Sequence, residues 1–188
     1  AFYEILKGET LSFHLGASSS TVEIGISRIG EDELSRVEKR ANAIIFEDRA
    51  ILTTFVLQEK IGEIPLRKPP KKEGLIRVVE VDGFDYSACG GTHCRRTGEV
   101  GLIKMTKGER IRNNLRFEFV CGWRALTDYS LKNGIVRQLS GQFSVKEEDV
   151  LASVGKLAED LKAARKMAKK SDERLAVFEA QEFIARAE

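Results

Sequence analysis

Ser87-Ala88-Cys89-Gly90-Gly91-Thr92-His93-Cys94-Arg95-Arg96-Thr97-Gly98-Glu99-Val100-Gly101 is the stretch around which the chain is organised. Cys89 and His93 stand four positions apart with two glycines between them. A thiolate and an imidazole suit a borderline-soft cation such as zinc, which takes sulfur and nitrogen ligands in tetrahedral geometry. Gly90 and Gly91 lack the Cβ atoms that resist a tight turn, so both side chains can aim at one ion. By spacing alone a C-x3-H pair is a weak metal signal, because short Cys/His coincidences are common.

The flanks of this stretch read as strands. Upstream, Leu75-Ile76-Arg77-Val78-Val79-Glu80-Val81 is rich in β-branched residues, Asp82-Gly83 ends it, and Phe84 to Tyr86 leads into the Cys/His loop. Downstream, Val100 to Met105 reads as a strand and Lys107-Gly108-Glu109-Arg110 as a turn. Leu115, Phe117 and Phe119 then alternate along a further strand to Val120. A loop held between strands is where a rigid scaffold presents functional groups.

Further out, Phe2, Ile5 and Leu6 have helical spacing, with Gly8 placed to stop the turn. Thr10–Leu15 and Thr21–Ile26 form an expected hairpin across Ala17-Ser18-Ser19-Ser20. A helix opens at Gly30-Glu31-Asp32-Glu33, its acids favouring the positive end of the macrodipole, and buries Leu34, Val37, Ala41, Ile44 and Ile45. Ala50 to Leu57 is a β-rich run. All three prolines fall in Pro65-Leu66-Arg67-Lys68-Pro69-Pro70-Lys71-Lys72, a stiff basic connector that cannot be helix or central strand. It reads as a solvated loop, with contact to RNA phosphates as the other use. Trp123 to Leu139 reads as a helix with Asn133-Gly134 as an interruption. Strands cluster without regular strand–helix alternation, which predicts an α+β fold. A mostly antiparallel sheet, helices on one face and a protruding C-terminal helix of coiled-coil character are expected.

Gly141-Gln142-Phe143-Ser144 marks the expected domain edge, dividing the chain into 1–143 and 144–188. Beyond it Val154, Leu157, Leu161, Ala164, Ala168, Ser171, Leu175 and Phe178 follow steps of three and four, a heptad seam. Small alanines and the polar Ser171 make it a weak one. Pairing with a second copy and packing back on the same chain are both open. The helix is read as a linker or a dimerisation element.

Composition agrees with a packed domain. The 188 residues are 42% hydrophobic and 32% charged. No apolar run approaches the roughly 20 residues that span a bilayer, so no membrane role is expected. Three cysteines, an odd number, argue against a disulfide framework and fit a reducing, cytoplasmic setting. A net charge of +2 hides an asymmetry: residues 95–137 carry ten Lys/Arg against four Asp/Glu, and residues 144–188 carry nine against ten. A concentrated positive segment beside a candidate metal site suits a polyanionic partner, although a solvated face is the simpler use. Arg95, Arg96, Lys104, Arg110, Arg112 and Arg116 are the candidate phosphate contacts, some of them expected in surface ion pairs instead.

The whole stretch is more specific than its spacing. It resembles the C-x3-H block of the alanyl-tRNA synthetase editing domain and of the freestanding alanyl-tRNA editing proteins. The similarity continues through Thr97-Gly98-Glu99-Val100-Gly101-Leu102-Ile103-Lys104, and upstream in Thr10-Leu11-Ser12-Phe13-His14-Leu15-Gly16 and Ser20-Thr21-Val22-Glu23-Ile24. It covers most of residues 1–143. The resemblance implies an aminoacyl-tRNA hydrolase, binding the acceptor end of tRNA(Ala) mischarged with serine or glycine and cleaving the aminoacyl ester. Cys89 and His93 would hold half of a Zn2+ site. His14, Gly91 and Thr92 would contact the substrate. The family pairs C-x3-H with an upstream H-x3-H, and this chain contains only His14 and His93. The expectation is therefore a fragment lacking the upstream histidines, inactive alone, with zinc weak or absent here and firmly bound in the parent protein. A tRNA-binding module without hydrolysis, and an assembly element working through the C-terminal helix, are the alternatives.

Overall fold

A computed structural model describes residues 1–70 and 73–187. The last two residues of the basic connector, Lys71 and Lys72, lie outside the described residues. The elements run α1 (Phe2–Leu6), β1 (Thr10–Leu15), β2 (Ser20–Ile24), α2 (Glu31–Phe46), β3 (Ile51–Leu57), β4 (Leu75–Val81), β5 (Asp85–Ala88), β6 (Ile103–Ile111), β7 (Asn114–Cys121), α3 (Trp123–Phe143) and α4 (Val150–Ala187). The fold is α+β and its strand pairs are antiparallel. They form two sheets, of order β1-β2-β7-β6 and β3-β4-β5.

One face of the four-stranded sheet carries the core. Phe117 and Ile24 are buried there, and the Phe2 ring of α1 stacks on Phe117 with centroids 4.9 Å apart. Val37, on the buried side of α2, packs over the same face. Helix α2 also closes the β6 edge. The Asn42 side-chain amide donates to the Ile103 carbonyl and its oxygen accepts from the Ile103 N–H, both at 2.9 Å. The Glu38 carboxylate accepts from the Met105 N–H at 2.7 Å. These side chains satisfy backbone groups that an edge strand otherwise leaves open. Thr97 is buried nearby; its hydroxyl donates to the Ile44 carbonyl at 2.7 Å and accepts from the Arg49 N–H at 2.9 Å.

Several local expectations are corrected. Lys107–Arg110 is not a turn but the second half of β6, and the chain reverses at Arg112-Asn113, Arg112 having a φ of 57°. Gly108 serves close approach rather than reversal: a Cβ there would lie 3.3 Å from Phe117 Cε1. A bulge between Met105 and Lys107 hid the strand's alternation. The residues leading into the Cys/His loop pair with β4 as the short strand β5. Residues Thr97–Val100 form a 3-10 turn, so β6 starts at Ile103 rather than Val100. The helix from Trp123 runs on to Phe143, through Asn133-Gly134 without interruption, because a single glycine costs only about 1 kcal/mol in a helix interior. Helix α1 ends on Lys7 in the left-handed conformation, one residue before the expected Gly8.

The chain separates into two compact units, 1–129 and 130–188, the division falling within α3. In the second unit, α4 is a single helix of 38 residues. Its seam residues Val154, Leu157, Leu161, Leu175 and Phe178 are exposed. No helix among the described residues is long and apolar enough to cross a membrane.

Candidate active site

Strand β5 runs along the edge of the smaller sheet and delivers the chain to Cys89 and Gly90 at the wall of a cavity of about 790 Å3. Phe13 and Val22 line it from the larger sheet, Ile76 and Ala88 from the smaller one. The connector closes a further side with Arg67, Lys68, Pro69 and Pro70. An adjoining cavity of about 800 Å3 shares Thr10, Phe13, Val22 and Arg67 with it.

The connector is therefore a wall as well as a surface segment. The Arg67 N–H donates to the Tyr86 carbonyl of β5 at 3.3 Å. Its guanidinium pairs with Asp85 and donates to Ser87 Oγ. Lys68 Nζ reaches the Thr10 carbonyl on β1, so the basic residues bridge the two sheets. Proline suits such a run because it donates no N–H and keeps the backbone extended. Tyr86, on the adjoining cavity, donates its hydroxyl to Glu80 at 2.7 Å. That hydrogen bond to a carboxylate raises the phenol's pKa above its ordinary value.

The Cys89–His93 turn is held from β4. Cys89 N–H donates to the Arg77 carbonyl at 3.1 Å. The Arg77 guanidinium returns two hydrogen bonds from one nitrogen, to the Cys89 carbonyl at 2.9 Å and the Gly91 carbonyl at 2.6 Å. His93 Nδ1 lies 3.1 Å from the same Gly91 carbonyl. Cys89 is half-buried, while Gly91, Thr92 and His93 are exposed. Among the described residues no group of three or more His, Cys, Asp or Glu is placed to hold a metal ion. A catalytic zinc takes three protein ligands and a structural one four. The described residues thus do not complete a zinc site, and Cys89 with His93 offers two donors.

The structure gathers Cys89, Gly91, Thr92 and His93 in one turn, and leaves His14 elsewhere. Side chains alternate along a strand, so His14 stands on the opposite face of β1 from the cavity residue Phe13. The six basic candidates divide. Arg96 pairs with Asp48 at 2.6 Å, Lys104 with Glu38 at 2.7 Å, and Arg116 with Glu23 at 3.5 Å. Arg110 Nε donates to the Arg112 carbonyl at 3.1 Å. Among the described residues the guanidinium groups of Arg95 and Arg112 have no such partner. Arg77 was missed as a site residue. Its only sequence signal is a lone charge inside the apolar run Leu75–Val79.

Residues 76–117 match the family described as the threonyl and alanyl tRNA synthetase second additional domain, a segment that includes Arg77, Cys89 and His93. The alanine–tRNA ligase of Pyrococcus abyssi is 30% identical over 166 residues, covering 86% of this chain and 18% of that protein. That of Methanothermobacter thermautotrophicus is 30% identical over 179 residues, covering 92% and 20%. That of Methanococcus aeolicus is 28% identical over 172 residues, covering 85% and 19%. The chain spans about a fifth of the length of these relatives.

Proposed function

We propose, from the premise that this chain is an alanyl-tRNA synthetase editing-domain-like protein, that the full-length protein hydrolyses the ester of mischarged tRNA(Ala). The observation that carries this reading is the Cys89-Gly90 turn at the wall of an open cavity between two sheets. In this reading the 3′ end of the tRNA enters along the basic side, and the aminoacyl group lies against Phe13, Val22 and Ile76. Water adds to the ester carbonyl and the amino acid departs from the ribose. Serine and glycine are the proposed amino acids, since one pocket cannot strongly reject an analogue that is smaller or merely adds a hydroxyl. A cytoplasmic setting and pairing of α4 with a second copy along its exposed seam belong to the same proposal.

The test is deacylation of serine- and glycine-charged tRNA(Ala) by the full-length protein, with and without a chelator. Hydrolysis that the chelator stops supports a metal-dependent deacylase. Tight tRNA binding with no hydrolysis supports the binding module instead.

With two donors, the 188-residue chain is expected to carry zinc well below one ion per chain by elemental analysis. Stoichiometric zinc within each isolated monomer refutes the two-donor reading.

Charge supplies a separate test. Replacing Arg95 and Arg112 by glutamine is expected to weaken tRNA binding and flatten its dependence on salt. The logarithmic slope falls by about 0.7–0.9 for each phosphate no longer neutralised. Arg96→Gln is expected to do less, because Asp48 already neutralises that side chain. An unchanged slope in the double variant shows that the tRNA docks elsewhere.

A further inference from the structure

We infer that Arg77 is a positioning residue that, through the Gly91 carbonyl, fixes His93 as its Nδ1–H tautomer. The two N–H groups of Arg77 Nη1 reach the Cys89 and Gly91 carbonyls at 2.9 and 2.6 Å. The Gly91 oxygen has a second lone pair, and His93 Nδ1 approaches it at 3.1 Å. A carbonyl can only accept, so the hydrogen of that contact sits on Nδ1. A neutral imidazole has one N–H, so Nε2 is left bare to accept a proton or bind a ligand.

Little else holds the turn in place. A Cβ on Gly90 would meet nothing within 4 Å, and one on Gly91 only Cys89 Sγ at 3.6 Å. Thr92, His93 and Cys94 are exposed, so packing does not set their conformation. Two adjacent glycines lose much backbone entropy on ordering, which makes each fixed hydrogen bond to the turn count. Arg77 is also not an ordinary ion-pair residue. Among the described residues its side-chain partners are the two carbonyls and, at 3.4 Å, the Thr53 hydroxyl. A planar guanidinium holds the two N–H groups of one nitrogen in fixed directions, whereas an ammonium at the same site keeps the charge and leaves its N–H groups free to rotate.

The effect on His93 stands independently; the effect on turnover rests on the deacylase reading. The experiment is 15N NMR of the imidazoles in the 188-residue chain at about pH 8.5, where an ordinary histidine is neutral. The chain has two histidines, and His14→Gln assigns the signals. His93 is expected to show protonated Nδ1 and bare Nε2. Arg77→Lys and Arg77→Met are expected to shift it toward a mixture containing Nε2–H. In the deacylation assay of the full-length protein both should lower kcat about 10–100-fold, the scale of losing an outer-shell partner, with KM within about twofold. Protonated Nε2 in the unsubstituted chain overturns the inference outright, whether or not either variant folds. So does an unchanged His93 pattern in folded Arg77→Lys, or a loss confined to KM. An unsubstituted full-length protein that fails to hydrolyse mischarged tRNA sinks the deacylase reading, while the NMR result still judges Arg77.

Discussion

Cys89→Ala in the full-length protein is expected, on the deacylase reading, to abolish hydrolysis of mischarged tRNA(Ala), a fall of about 10²-fold or more, while the protein keeps its fold. Misplacing one group at a reacting centre can alone cost about 10²-fold, and here the group is removed. Cys89 is the one thiol lining the cavity among the described residues. The hydrogen bonds that fix its position are made by its backbone, the N–H to Arg77 and the carbonyl from Arg77. Alanine keeps both, so the turn stays where it is and only the sulfur is lost. The check is deacylation rate beside circular dichroism and tRNA affinity. A folded variant with full activity would make Cys89 a structural residue and move the chemistry elsewhere.

Phe117→Ala is expected to give the largest loss of stability, about 3–5 kcal/mol, the scale for truncating a buried aromatic. Phe117 is 1% exposed, at the centre of the larger sheet. It stacks on Phe2 and faces Gly108, whose missing Cβ makes room for its ring. None of these neighbours can collapse into the space, because Phe2 belongs to a helix and Gly108 to a paired strand. The measurement is the shift in urea midpoint at unchanged slope. A loss under about 1 kcal/mol would show that the site repacks, the cost depending on how far a cavity can close.

Both predictions depend on features of different visibility in the sequence. Phe117 was legible: Leu115, Phe117 and Phe119 alternate, and a period of two puts them on one face wherever the strand pairs. The β1–β2 hairpin and α2 were legible for the same reason, their periodicity and end signals being local. Lys107–Arg110 misled because Gly108 carries two meanings, reversal or close approach. Only the ring of Phe117 across the strand pair selects the second. The Asn133-Gly134 pair misled because a weak helix breaker is overridden by the helix around it.

The candidate site divides along the same line. That Cys89 and His93 lie close together along the chain was already determined by the sequence. Four residues with two glycines cannot separate them far, and the surrounding stretch carries the resemblance to editing domains. The stiffness of the proline connector was likewise intrinsic, since proline fixes its own backbone angle. Tertiary structure alone decided that the connector walls the cavity, and that His14 stands on the far face of β1 from it. It alone decided which basic residues remain available to phosphate, because the acids that neutralise Arg96 and Lys104 lie 48 and 66 residues away. The same holds for Arg77: its strand meets the Cys89 turn only once β4 and β5 pair. Short-range periodicity and covalent stiffness are written in adjacent residues. Charge neutralisation and hydrogen-bond partnership depend on distances that exist only after the chain has folded.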